Sequence, residues 1–171
     1  PAMTAAKRFC DFFLALILGF ILLVPVAITA LLILIRDGRP IFYISERMKT
    51  QTEGFNLVKF RTMKTVVSDS GVSGGDKADR ITTTGRFMRR TRLDEVPQLW
   101  NVLKGDISFV GPRPPLRQYV ERFPDIYREV LKSRPGITGL ASVHFHAHEE
   151  WLLARARTAA ETDEIYCRTC V

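Results

Sequence analysis

The chain has 171 residues, a net charge of +7 and 46% hydrophobic residues. That length fits one domain and excludes two full ones, and the apolar content excludes a largely disordered chain. Three cysteines, Cys10, Cys167 and Cys170, exclude a disulfide scaffold, because at least one has no partner within the chain.

The first element is apolar. From Phe12 to Ile35, 24 consecutive residues carry no ionisable side chain. A straight helix of that length would reach roughly 36 Å, enough for a bilayer core of about 30 Å. The run exceeds a signal-peptide core and no small-residue cleavage site follows it, so it is expected to stay on the mature protein. Pro25 sits near its midpoint and predicts a kink. Basic residues flank both ends: Lys7 and Arg8 before, then Arg36, Arg39, Arg47 and Lys49 after. Positive charge favours the cytoplasmic side, so both ends are drawn there at once. A helix broken at Pro25, each arm reaching roughly 18 Å, satisfies that demand. An ordinary kinked span is the equal alternative from the residues alone. The Thr29 hydroxyl is a candidate partner for backbone groups freed at the bend.

Residues 36–148 hold 20 basic and 12 acidic side chains. A surface of that sign suits anionic lipid headgroups and phosphorylated substrates. Nucleic acid is not expected as a partner, since helix-turn-helix, zinc-finger and base-stacking signatures are missing. Ile41–Ile44 and Phe55–Phe60 are short β-prone runs that predict a hairpin-like pair. Thr65–Asp79, rich in Gly, Ser and Asp, reads as a flexible loop. Apolar residues at 93, 96, 99, 102 and 103 predict a helix over 93–103, with Gly105 as its stop. Beyond a Pro-rich turn at 112–115, an apolar stripe from 116 to 131 is flanked by Arg117, Arg122, Arg128 and Lys132. Pro124 should divide it into two short helices, either membrane-surface or core-facing. Trp151–Ala160 reads as a surface helix.

Asp94 and Glu95 open the 93–103 helix, with Pro97 in its first turn. Asp is a preferred N-cap, Glu suits the positive helix end and Pro fits the first turn, so capping is the simplest account. The setting adds chemistry. Arg80, Arg86, Arg89, Arg90 and Arg92 crowd the stretch just upstream. Carboxylates beside arginine and a helix start should ionise easily, and with phosphate oxygens they can hold Mg²⁺. Charge alone leads to phosphate and a metal, and no further.

Four ordered blocks go further: Lys59-Phe60-Arg61-Thr62-Met63, Leu93 through Asp106, Val110-Gly111-Pro112-Arg113-Pro114, and Arg134-Pro135-Gly136-Ile137-Thr138-Gly139-Leu140. Together they closely resemble the bacterial sugar transferases, the monotopic phosphoglycosyl transferases, from the apolar segment to about Val143. The resemblance implies a helix-rich α+β fold. Residues 1–38 would form a membrane-inserted, re-entrant segment bent at Pro25, and residues 39–171 a cytoplasmic catalytic domain at the bacterial inner membrane. It implies transfer of a phospho-sugar from a nucleoside diphosphate sugar, usually a UDP-sugar, to polyprenol phosphate, with release of UMP. Asp94 would be the nucleophile, forming a phosphosugar-aspartate, and would help hold Mg²⁺. Glu95 would activate the acceptor or support the metal. Arg89 and Lys59 would contact phosphate, and Pro112, Arg113 and Pro114 the uridine. Anionic lipids are expected neighbours, and oligomeric state is left open. The alternative is a catalytically silent, membrane-bound relative acting as a lipid-binding or scaffold component.

Two stretches depart from the family pattern. Where Gln-Val-Asn-Gly-Arg is usual, Ser142-Val143-His144-Phe145-His146 stands, so a phosphate-binding Arg is replaced or lost. The Ser common two residues before the nucleophile is Arg92. The family's C-terminal helical tail is not found before Val171, which leaves open whether the native chain extends further. His144, His146 and His148 alternate and would share one face of a strand; with Cys167 and Cys170 they could hold Zn²⁺. Exposed polar residues are the simpler account.

Overall fold

The computed structural model describes residues 3–66, 72 and 74–169. The fold is helix-rich α+β with four short strands among the described residues. Two apolar helices lead. Helix α1 spans Ala5–Ile21 and α2 spans Leu23–Arg36, and their axes bend by 61°. No single described helix is long and apolar enough to cross a membrane. The break falls at Leu22, three residues before the expected Pro25. Pro25 occupies the first turn of α2, where a missing N–H is tolerated, and it has no proton to return to the Ile21 carbonyl. The Thr29 hydroxyl donates to the Pro25 carbonyl at 2.8 Å.

Both arms are anchored at their outer ends. On α1, Ala15 packs with Phe55, Leu57, Val102 and Ile107. Buried Asp11 accepts from the Ser108 hydroxyl at 2.7 Å, and Lys7 reaches Asp11 and Ser108. Arg8 donates to the carbonyls of Val102 and Leu103 at 2.6 and 2.7 Å. On α2, Ile33 packs with Phe60 and Met88. The Arg61 guanidinium holds the carbonyls of Asp37 and Gly38 at 2.7 and 2.8 Å. Burying Ile33, Phe60 and Met88 is worth about 1.5–3 kcal/mol each. The elbow between these anchors exposes Leu16, Ile17, Phe20, Ile21, Leu23 and Val24, with Phe20 83% exposed.

The β-prone runs do pair. Strand β1 (Phe42–Met48) lies antiparallel to β2 (Gly54–Phe60), with Phe42 opposite Phe60 and Met48 opposite Gly54. The expected loop at 65–79 is only partly a loop. Residues 67–71 and 73 lie outside the described residues, and Gly75–Arg80 forms a 3₁₀ helix. Helix α3 (Thr83–Thr91) is capped by Thr82, whose hydroxyl accepts from the Gly85 N–H. Gly85 lies so close to the Thr62 carbonyl that any Cβ there would fall on it.

The predicted 93–103 helix is two pieces, a 3₁₀ helix at Leu93–Gln98 and α4 at Leu99–Lys104. Gly105 ends α4 as expected, at φ 84°. Buried Asn101 stitches α4 to β2: its Oδ1 accepts from Val58 N–H at 3.1 Å and its Nδ2 donates to the Asn56 carbonyl at 2.8 Å. Strand β3 (Ser108–Val110) pairs in parallel with β4 (Gly136–Thr138). Between them run α5 (Arg117–Arg122) and α6 (Pro124–Val130), divided at Pro124 as predicted.

The C-terminal part differs from expectation. Helix α7 spans Leu140–Leu153 and α8 spans Ala159–Thr169, so the predicted helix at 151–160 straddles a break. The histidines lie on α7 and not on a strand. Its helical period puts His144 and His148 on one face. Thr158 caps α8 through Glu161 N–H, and the Glu161 carboxylate reaches back to Arg157 N–H.

Candidate active site

The site forms where β2, the 3₁₀ helix at 93–98 and the Pro-rich turn converge. Arg92 is the pivot. It stands in left-handed backbone at φ 59° and ψ 16°, ending α3 and starting the 3₁₀ helix within one residue. That reversal brings Arg89, on the last turn of α3, within electrostatic reach of Asp94. Asp94 is therefore not the cap. The cap is Arg92, and Asp94 and Glu95 occupy the first turn, with Glu95 N–H donating to the Arg92 carbonyl at 3.2 Å.

The two carboxylates have opposite electrostatics. Burial raises the Asp94 pKa above the usual aspartate range, with Glu95 adding to the shift and Lys59 and Arg89 opposing it. The expected easy ionisation of Asp94 is thus overturned, because desolvation outweighs the neighbouring cations. Burial also acts on Glu95, but Lys59, Arg113 and Arg92 outweigh it and hold that carboxyl below its ordinary value. Lys59 Nζ lies 2.7 Å from Glu95 Oε1, and burial pulls the lysine's own pKa down. Arg89 is oriented by Thr62, whose hydroxyl accepts from the guanidinium Nε at 3.0 Å.

A cavity of about 390 Å³ opens beside these groups, and Lys59, Arg92, Glu95, Gln98 and Arg113 contribute to its wall. Pro114 also lines it. Pro112 lies outside the wall and serves the turn, its carbonyl accepting from Gly136 N–H at 2.9 Å. Asp94 and Arg89 are likewise outside the wall; what ties them to it is charge, through Lys59 and Glu95. The structure thus gathers Lys59, Arg89, Asp94, Glu95, Arg113 and Pro114 about one centre. Pro25 is remote from it in sequence and belongs to the elbow.

Sequence reasoning missed Arg47, Gln98 and Thr138, which also line the cavity, and the part of Thr62. For Arg47 the available signal was the period of β1, which sends Tyr43, Ser45 and Arg47 to one face. Glu149 of α7 lies 3.8 Å from Arg113, so the helix that carries the altered stretch supplies a carboxylate to the site's edge.

The Asp94 Oδ1 atom is buried and has no hydrogen-bond partner among the described residues. Such an orphaned anionic oxygen suits a hard divalent cation that takes one or two carboxylates and completes its shell from phosphate and water, as Mg²⁺ does. No cluster of three or more His, Cys, Asp or Glu able to hold a metal occurs among the described residues. Cys170 and the side chain of His146 lie outside them.

Comparison with known proteins identifies the family. A model of the family described as bacterial sugar transferase matches residues 2–170. A Bacillus subtilis (strain 168) protein, provisionally named an undecaprenyl-phosphate N-acetylgalactosaminyl 1-phosphate transferase, is 43% identical over 120 residues, covering 70% of this chain and 67% of that protein. The UDP-N-acetylgalactosamine-undecaprenyl-phosphate N-acetylgalactosaminephosphotransferase of Aeromonas hydrophila is 35% identical over 150 residues, covering 84% of this chain but 35% of that protein. The UDP-glucose:undecaprenyl-phosphate glucose-1-phosphate transferase of Caulobacter vibrioides is 34% identical over 171 residues, covering 96% of this chain and 64% of that protein. The chain therefore belongs to the bacterial sugar transferase family.

Proposed function

We propose that this protein transfers a sugar phosphate from a UDP-sugar to polyprenol phosphate by two successive displacements at Asp94. The observation that carries the reading is the buried, unpartnered Asp94 Oδ1 beside Lys59, Glu95 and Arg89. The names of the relatives support the donor and acceptor classes.

In the first displacement the Asp94 carboxylate attacks the phosphorus that bears the sugar. The bond from that phosphorus to the bridging oxygen breaks, and this oxygen leaves with the electron pair on UMP. In the second, an oxygen of polyprenol phosphate attacks the same phosphorus and the Asp94 carboxylate departs, giving polyprenyl diphosphate sugar. Burial serves the nucleophile, because a desolvated carboxylate holds little water to shed. Lys59 and Arg89 supply positive charge where phosphate oxygens gather, and Glu95 keeps Lys59 oriented across the site. Mg²⁺, held by Asp94, would offset repulsion between carboxylate and phosphate.

The exposed apolar elbow supports shallow insertion from one face, because both anchored ends of the α1–α2 pair bond to the same body. On this reading the bacterial inner membrane receives the elbow, anionic headgroups meet the basic surface, and the donor arrives from the cytoplasm. The test is to incubate the chain in detergent with Mg²⁺ and a panel of UDP-sugars, quench, and search the Asp94 peptide for a sugar-phosphate adduct. Polyprenol phosphate should discharge the adduct. A rate that demands both substrates at once, with no adduct, overturns the two-step route.

A further inference from the structure

Arg47 lines the cavity, and the proposed chemistry leaves it unused. It lies near the end of β1, its side chain lines the cavity, and burial pulls its pKa below the usual arginine value. Its polar contacts are long: Nη1 to the Pro114 carbonyl at 3.3 Å and Nε to the Ser45 hydroxyl at 3.4 Å. A second cation, Arg113, lines the same cavity, and Tyr43, Tyr119 and Tyr166 lie within electrostatic reach of Arg47. Arg47 makes no ion pair among the described residues. The adjacent acid, Glu46, is engaged by Arg117 at 2.7 Å on the outer surface.

A guanidinium stays charged in proteins. Two of them gathered at a partly desolvated wall repel each other, and burying a cation without a counterion is unfavourable. Each of the other wall groups Lys59 and Glu95 answers the other's charge. Among the described residues Arg47 has no acidic partner, and Arg113 has the long contact to Glu149. The arrangement fits an anion that enters with a ligand.

The position says which anion. Arg47 and Arg113 line the same cavity as Lys59 and Glu95, and Arg47 Nη1 donates to the carbonyl of Pro114, the residue next to Arg113. With the sugar-bearing phosphate at Asp94, the second phosphate of the donor extends towards Arg113 and Arg47. The backbone supports this: Met48 N–H donates to the Pro115 carbonyl at 2.9 Å, so β1 and the turn bearing Arg113 are joined beside the two guanidinia.

We infer that Arg47 and Arg113 form a clamp for the nucleotide-side phosphate of the donor, the phosphate that departs as a nucleoside monophosphate. This rests on the proposed function above. As the bond between the sugar-bearing phosphorus and the bridging oxygen breaks, the departing phosphate gains a negative charge, and the clamp meets it with two preorganised cations. The same clamp lets the nucleoside monophosphate bind the site and inhibit turnover.

The test uses the full chain in detergent and the wild type, Arg47→Gln, Arg47→Lys and the surface control Arg117→Gln, with UMP as the probe. Folding is checked by thermal melting. Removing one partner of a charge-assisted contact should weaken UMP inhibition and kcat/KM for the donor by about 10–100-fold in Arg47→Gln. Arg47→Lys, which keeps the charge but not the fork, should recover part of the loss. The KM for polyprenol phosphate and every value for Arg117→Gln should stay at wild type. Should Arg47→Gln not fold, Arg47→Lys alone decides, with weaker UMP inhibition expected. UMP inhibition equal to wild type in either folded Arg47 variant overturns the clamp. A wild type that releases no UMP from any UDP-sugar overturns the proposed function instead, and direct calorimetric titration of UMP into the same variants still reads the clamp.

Discussion

Lys59 on β2 and Glu95 on the 3₁₀ helix meet at 2.7 Å, and this pair divides the adjacent carboxylates into unlike species. Glu95 is held ionised by the contact, while Asp94 next to it is pushed towards protonation by burial. A nucleophilic carboxylate must be ionised, so UMP release should fall on the acid side at a pH above the ordinary aspartate range. Lys59→Met removes a cation that opposes the Asp94 shift, and the acid limb should then move to higher pH. A pH–rate profile with an unmoved limb would separate Lys59 from the ionisation of Asp94.

Asp94→Asn carries two opposed consequences. UMP release should fall by about 10⁴-fold or more, as on loss of a nucleophile elsewhere. Stability should move the other way. A carboxyl whose folded pKa is raised contributes stability at low pH that is lost as pH rises through the folded pKa. At neutral pH the ionised, buried Asp94 therefore works against folding, and the neutral amide removes that opposition. The variant should melt above the wild type at neutral pH, with the gap closing in acid. Melting curves across pH decide it.

Thr62 acts through Arg89. Thr62→Val deletes the acceptor for the guanidinium Nε, and a hydrogen bond to a charged group is worth about 1.5–3 kcal/mol. The donor kcat/KM should drop about 10–100-fold, while Thr62→Ser restores it. Equal loss in both variants would point to packing against α3 and not to the hydroxyl.

Asn101 is the structural counterpart. Three of its hydrogen bonds, to Val58, Asn56 and Asp106, tie α4 to β2 and to the turn after it. Asn101→Ala leaves buried backbone groups unpaired and should destabilise the protein by about 2–4 kcal/mol. Chemical denaturation with an unchanged m-value measures it.

The elbow gives a topological prediction. Lys7 and Arg8 reach Ser108, Val102 and Leu103, and Arg61 reaches Asp37 and Gly38. A membrane-impermeant label should therefore react with exposed Cys10 and with a cysteine placed at Arg39 from the same side of sealed vesicles. Labelling from opposite sides rejects the re-entrant arrangement.

Much of this fold is legible because its signals are local. The β1–β2 hairpin follows from two β-prone runs, the division at Pro124 from a missing N–H, and the end of α4 from Gly105. The carboxylates, Lys59 and Arg113 stand in the ordered blocks, and Arg89 was picked out by its position just upstream of Asp94. Other features depend on groups far apart in the chain. The alternating histidines were read at a strand's period, and the helix that carries them begins after Gly139. A capping box at Thr158 and Glu161 was present in the sequence and marks the true start of α8, yet the apolar run from Trp151 concealed it. The raised Asp94 pKa was not legible at all. The arginines upstream are visible in sequence, whereas the burial that outweighs them comes only with tertiary packing. Arg47 was read as a flanking charge for the same reason, since the wall it faces is assembled from β4 and the Pro-rich turn.

Arg92 carries a consequence for how this site can change over time. An L-residue in left-handed backbone is disfavoured by roughly 1–2 kcal/mol, and glycine escapes the penalty. Replacement by glycine would relax the tight corner while stripping a cation from the cavity. Selection for robustness and selection for ligand capture thus pull this position in contrary directions, and an ancestral lineage freed from turnover should drift there towards glycine first.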